Sequence, residues 1–147
     1  MIENEQAMLQ FGEKIGTALR GGEVIELIGD VGAGKTTFVR GLAKGLLIAE
    51  TIQSPSFTIS RVYNAKDELL LAHYDFYRLN EPGIMMDELN EAMSDNKTIV
   101  VVEWADTVKD ILPDDRLTIR IESRSESSRS VTAIVNGKAY THIEEIL

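Results

Sequence analysis

The first apolar residues fall at helical spacing. Ala7, Met8, Phe11, Ile15 and Leu19 share one face of residues 5–20, which predicts an amphipathic helix ended by Gly21-Gly22. Val24-Ile25-Glu26-Leu27-Ile28 then reads as a short strand, and Phe38, Val39, Leu42, Leu46 and Leu47 restore a helical period over residues 36–46. Pro55 biases Ser54 away from helix, so residues 53–56 are a loop. Residues 57–63 alternate apolar and polar, residues 64–67 form a turn, and residues 68–74 return as an apolar strand, together a hairpin. Glu81-Pro82-Gly83 opens a helix running to about Met93, and residues 94–97 turn the chain. Thr98-Ile99-Val100-Val101-Val102 is the β-branched run of a strand buried on both faces. A short helix is expected over residues 106–111, closed by Leu112-Pro113. Residues 117–121 and 131–135 read as strands around a Ser/Arg/Glu loop at 123–130, and Asn136-Gly137 carries a hairpin-turn signal. The pattern predicts one α/β domain over residues 1–147, with a mostly parallel central sheet, antiparallel edge strands and flanking helices.

One junction in this pattern carries chemistry. Gly29-Asp30-Val31-Gly32-Ala33-Gly34-Lys35-Thr36-Thr37 fits G-x-x-x-x-G-K-[ST] and lies between a predicted strand and a predicted helix, which makes the domain one of the P-loop nucleotide hydrolase type. Such a loop turns successive backbone N–H groups inward as an anion nest, which the glycines permit by positive φ and close backbone approach. The helix starting near Lys35 directs its positive dipole end at the same point. Residues 30–37 (Asp30, Val31, Gly32, Ala33, Gly34, Lys35, Thr36, Thr37) are therefore the candidate phosphate cradle, with Lys35 on the β- and γ-phosphates and the Thr36 hydroxyl on Mg²⁺.

Composition narrows the class. Among 147 residues, 44% are hydrophobic, enough for a core, and no run of eighteen apolar residues predicts a membrane span. The acidic start, Met1-Ile2-Glu3-Asn4-Glu5, lacks a secretion-signal pattern, and the absence of cysteine excludes disulfides and thiolate metal sites. A cytosolic location is expected. The net charge of −9 argues against autonomous nucleic-acid binding, because the basic residues (Arg20, Arg40, Lys44, Arg61, Arg78, Arg116, Arg120, Arg124, Arg129) are scattered.

A magnesium-dependent phosphate site needs an acid, usually at the end of a neighbouring strand. Asp75 follows Leu69-Leu70-Leu71-Ala72-His73-Tyr74, and Glu103 follows Ile99-Val100-Val101-Val102. Both are strand-end carboxylates where open α/β sheets place ligands. One would hold Mg²⁺ and the other orient the attacking water, in either assignment. His73 reads as a packed strand residue, since no second histidine lies nearby, and Trp104 fits core packing or function equally. Arg78 is a candidate phosphate or partner contact, against a surface ion pair. A small GTPase is disfavoured: Asp75-Phe76-Tyr77-Arg78 lacks the glycine of D-x-x-G, and Asn96-Lys97-Thr98-Ile99 lacks the aspartate of N-K-x-D. A nucleotide or metabolite kinase would need a lid and an acceptor site for which little chain remains. A nucleotide-dependent binding module with negligible hydrolysis is the non-enzyme alternative.

Four motifs in order give a resemblance: the loop through Phe38-Val39-Arg40-Gly41, then Ser54-Pro55-Ser56-Phe57-Thr58-Ile59, His73-Tyr74-Asp75-Phe76-Tyr77-Arg78-Leu79, and Val102-Glu103-Trp104. Over roughly residues 5–121 the chain resembles the TsaE family, small bacterial ATPases needed to make threonylcarbamoyladenosine in tRNA. The resemblance implies an ATPase using ATP and Mg²⁺, slow alone, working with TsaD and TsaB and reaching tRNA only through that assembly. It implies catalytic roles for Lys35, Asp75 and Glu103, metal roles for Thr36, Asp75 and Glu103, and a switch-like loop at Ser54, Ser56 and Thr58 near the γ-phosphate. Trp104 resembles the tryptophan beside the site. The chain departs from the family's pattern at Ser56, where threonine is usual, at Ala105, where proline is common, and over residues 83–96. Those departures bear on the partner-facing surface more than on the nucleotide site.

Overall fold

A computed structural model describes the chain except Val31, Ser56, Phe57 and residues 78–82, and the side chains of Ile84 and Thr107. The strands are β1 (Val24–Ile28), β2 (Ser60–Asn64), β3 (Leu70–Asp75), β4 (Thr98–Glu103), β5 (Arg116–Ser123) and β6 (Arg129–Asn136). They form one sheet in the order β2-β3-β4-β1-β5-β6. β3, β4, β1 and β5 run parallel, while β2 and β6 join antiparallel at the two edges. The helices are α1 (Glu5–Ala18), α2 (Lys35–Gly45), α3 (Gly83–Ser94) and α4 (Thr141–Glu144). This is the mostly parallel sheet with antiparallel edges that the alternation patterns predict.

Strand parity sorts the core into two layers, because successive side chains point to opposite faces. Ile25, Leu27, Leu71, Ile99, Val101, Leu117 and Ile119 pack with Met8, Ile15, Phe38 and Leu42 of α1 and α2. Val24, Ala72, Tyr74, Val100 and Val102 face the other way, onto Leu89 of α3 and onto Ala105, Val108 and Leu112. Every residue of β4 is buried, as its uninterrupted β-branched run requires.

The two helices on the first face meet through glycines. A Cβ at Gly12 would stand 2.9 Å from the Cα of Gly41, and one at Gly45 would stand 2.6 Å from the amide nitrogen of Thr17. Gly12, Gly16, Gly41 and Gly45 thus let the α1 and α2 backbones touch, which seats α2 and the loop before it against the sheet. The helical period predicts α1 but carries no sign of this close crossing.

Three elements depart from the sequence reading. The short helix expected over 106–111 is a pair of 3-10 turns, Ala105–Thr107 and Lys109–Ile111. β2 begins at Ser60, and residue 57, the expected strand start, lies outside the described residues. Asn136-Gly137 does not turn a hairpin. Gly137 takes φ 88° at the end of β6, and the chain leaves the sheet for α4. Tertiary anchors explain this: the Tyr140 hydroxyl accepts from the Val24 N–H at 2.7 Å, His142 Nε2 lies 2.7 Å from the buried Glu23 carboxylate, and Ile143 is fully buried. The hairpin in this part of the chain is β5–β6, connected across residues 124–128.

Candidate functional site at the carboxyl edge of the sheet

Because β1, β3 and β4 are parallel, their carboxyl ends reach one edge of the sheet. Open α/β sheets bind ligands at that edge. β1 delivers the glycine loop, β3 delivers Asp75, and β4 delivers Glu103 directly opposite Asp75 in register. In the loop, Gly32 and Gly34 take φ of 83° and 109°, a region costly for residues bearing a Cβ. Gly34 caps the N-terminus of α2, so Lys35 begins the helix and the orphan N–H groups of its first turn face the loop.

Lys35 is buried, with 6% of its surface exposed. Its ammonium donates to the Gly29 carbonyl at 2.5 Å, lies 3.7 Å from Glu103 Oε1, and stands 4.2 Å above the Trp104 ring. Burial holds the ammonium below its ordinary pKa, and the charges of Glu103, Asp75 and Asp30 oppose that shift. Trp104 sits at φ 55°, a backbone region that a bulky residue enters only when its surroundings hold it there. That turn lays its indole against Lys35, with the Tyr77 ring 4.8 Å away. Packing and cation contact therefore coexist in Trp104.

Asp75 is buried and accepts from the Tyr77 N–H at 3.0 Å, while its own N–H donates to the Ile59 carbonyl at 2.8 Å. The latter bond ties the loop bearing Ser54 and Thr58 to the site; both of those residues are exposed. Thr36 and Thr37 are half-buried in the first turn of α2, Ala33 is buried, and Asp30 and Gly32 are exposed. Val31, Ser56 and Arg78 lie outside the described residues.

Two residues of the site escape the sequence reading. His73 is packed within β3, as expected, yet it also bonds to the site: its Nε2 lies 2.5 Å from Glu103 Oε2. The available signal is parity, since residues 73, 75, 101 and 103 fall on one face once β3 and β4 pair in register. Arg129, one of the scattered basic residues, reaches from the start of β6 to the glycine loop. Its Nε donates to the Ala33 carbonyl at 2.9 Å and its Nη1 to the Ser128 carbonyl at 2.9 Å. No local pattern in the Ser/Arg/Glu segment marks that reach.

Clefts flank the loop on two sides. One of about 340 Å³ is lined by Asn4 and Met8 of the N-terminal segment, by Gly32, Gly34 and Thr37, and by Arg129. The other, about 600 Å³, runs along Gly29, Asp30, Ala33, Trp104, Lys109 and Arg120. Among the described residues no group of three or more His, Cys, Asp or Glu side chains is placed to hold a metal alone. The donor set of Thr36, Asp75 and Glu103 instead suits a hard cation that keeps water or ligand oxygens, as Mg²⁺ does.

Sheet order, strand–glycine loop–helix junction, buried lysine and paired strand-end acids together define a mixed α/β protein with one polar site at the carboxyl edge of its sheet. The model of a family described as threonylcarbamoyl adenosine biosynthesis protein TsaE matches residues 2–131. The chain belongs to the TsaE family, whose role is in the biosynthesis of threonylcarbamoyladenosine in tRNA. It is 38% identical over 128 residues to the tRNA threonylcarbamoyladenosine biosynthesis protein TsaE of Bacillus subtilis, covering 86% of this chain and 78% of that protein. It is 38% identical over 116 residues to the protein of the same name from Streptomyces coelicolor, covering 78% of each. The crystal structure of Bacillus subtilis YdiB superposes with a TM-score of 0.79 at 33% identity, covering 97% of this chain and 88% of that one.

Proposed function

We propose that this protein binds and hydrolyses Mg-ATP at the carboxyl edge of its sheet, and that it does so in an assembly with TsaD and TsaB. The observation that carries the reading is the placement of Lys35. A desolvated ammonium lies at the N-terminus of α2, behind a glycine loop with positive φ, facing two strand-end carboxylates. A cation held there at the cost of desolvation fits an anionic ligand such as a triphosphate. Lys35 would neutralise the terminal phosphates, and the loop N–H groups would cover the β-phosphate side. Thr36, with Glu103 or Asp75, would hold Mg²⁺, which supplies charge neutralisation on the phosphoryl oxygens. The remaining acid would orient water. The other end of the ligand would lie in the cleft lined by Thr37, Met8 and Arg129.

Loss of the fixed cation tests the reading. Lys35→Ala is expected to keep the circular dichroism of the folded protein and to lose Mg-ATP binding by at least tenfold, the scale of one hydrogen bond to a charged group of about 2 kcal/mol. Titration calorimetry checks binding, and phosphate release with and without TsaD–TsaB checks turnover. A folded Lys35→Ala protein with wild-type affinity and turnover rejects the assignment. Mg-ATP binding by the wild type with no hydrolysis either alone or with TsaD–TsaB bound would instead identify a nucleotide-dependent binding module.

A further inference from the structure

We propose that His73 is a positioning residue that holds the Glu103 carboxylate off Lys35, keeping the lysine available to a ligand; this rests on the nucleotide reading of the site. His73 is fully buried in the middle of β3, and its Nε2 engages Glu103 Oε2. The other carboxylate oxygen, Oε1, stands 3.7 Å from the Lys35 ammonium. A closed charge-assisted pair would sit at about 2.8 Å. A lysine and a glutamate both almost out of water attract strongly, and on the lysine side the ammonium is drawn away by the Gly29 carbonyl at 2.5 Å and the Trp104 ring. A second restraint comes from the far side of the carboxylate, where the imidazole occupies Oε2 and fixes the plane of the group.

The ring's second nitrogen supports this orientation. His73 Nδ1 is buried with no hydrogen-bond partner among the described residues. A carboxylate only accepts, so the proton shared with Glu103 belongs to Nε2. Of the two ring nitrogens, only Nε2 faces an acceptor, so the ring orientation directs a donor at Glu103. A histidine present only to fill volume would not need this orientation, and an apolar side chain would fill the same space without an orphan. The divided carboxylate then has one oxygen on the histidine and one directed to the lysine and its ligand.

The test compares His73→Leu, which keeps volume and removes the donor, with His73→Gln, whose amide nitrogen reaches about as far as Nε2. The His73→Leu protein should bind Mg-ATP about tenfold more weakly, the scale of one charged hydrogen bond. Its half-saturating Mg²⁺ concentration for nucleotide binding should rise. His73→Gln should recover most of both losses, which a purely structural role would not predict. A readout independent of nucleotide is the ¹⁵N spectrum of the wild-type imidazole, expected to show a protonated Nε2 coupled to its proton. A protonated Nδ1 with bare Nε2 overturns the proposal, even if the leucine variant does not fold. So does a folded His73→Leu protein with wild-type affinity and Mg²⁺ dependence. A wild-type protein that binds no Mg-ATP rejects the nucleotide reading separately, and the ring tautomer then judges the positioning on its own.

Discussion

At the scale of single residues, the site is governed by desolvation. Lys35 carries a charge that burial disfavours, so its pKa is lowered from 10.5 although three acids surround it. Bound phosphates would add negative charge and raise that pKa again. Binding is then coupled to proton uptake wherever pH lies between the free and bound values, a window opening below 10.5. Affinity should be full below the free-state pKa and should fall as pH rises through the bound-state pKa. Calorimetry in alkaline buffers of different ionisation enthalpy measures the proton directly. No proton uptake on Mg-ATP binding in that window would show that Lys35 does not meet the phosphates. Ile59 is a second residue under local control: it is β-branched, sits at φ 69°, and passes its carbonyl to Asp75. Such a conformation costs about 1–2 kcal/mol, so surrounding contacts hold the loop end where it meets the site.

At the scale of elements, the seat of α2 decides where the glycine loop points. α2 rests on α1 through backbone contact at Gly12, Gly16, Gly41 and Gly45. An added methyl has no room, since at Gly41 it would stand 2.9 Å from the Cα of Gly12. Gly41→Ala should therefore force the helices apart and destabilise the protein by about 1–3 kcal/mol, although alanine is the better helix former. Thermal and urea unfolding of the variant measure the loss; equal or greater stability would show that the close crossing is not maintained in solution. Arg129 joins a second pair of elements, since its guanidinium holds the glycine loop while its backbone pairs with Ile2. The N-terminus, the β5–β6 hairpin and the loop thus meet around one side chain.

At the scale of the whole molecule, charge governs encounters. A net charge of −9 repels a polyanion, and two of the arginines are used internally: Arg116 pairs with the buried Glu26 at 3.2 Å, and Arg129 caps loop carbonyls. The isolated protein is expected to show no submicromolar binding to tRNA at ~150 mM salt. Filter binding or fluorescence anisotropy with labelled tRNA checks this, and tight binding by the pure protein would reveal a basic surface that the sequence does not suggest. Among the described residues no helix is long and apolar enough to cross a membrane.

The sequence alone determined what depends on neighbours along the chain. The glycine loop, the helical face of α1, the β-branched β4 and the edge hairpin β2–β3 each announce themselves within a few residues, because backbone conformation and burial of one face follow local period and residue type. Asp75 and Glu103 were legible for the same reason, as acids at the ends of apolar runs. Only the tertiary structure decided what depends on partners distant in the chain. The register that sets His73 beside Glu103, the glycine crossing of α1 and α2, and the reach of Arg129 to Ala33 are set by packing between elements. Asn136-Gly137 marks the boundary between the two. Its local turn signal was real, but the buried hydroxyl of Tyr140 and the Glu23–His142 pair hold the chain that follows it as α4, against the start of β1, where a returning strand would have no such partners.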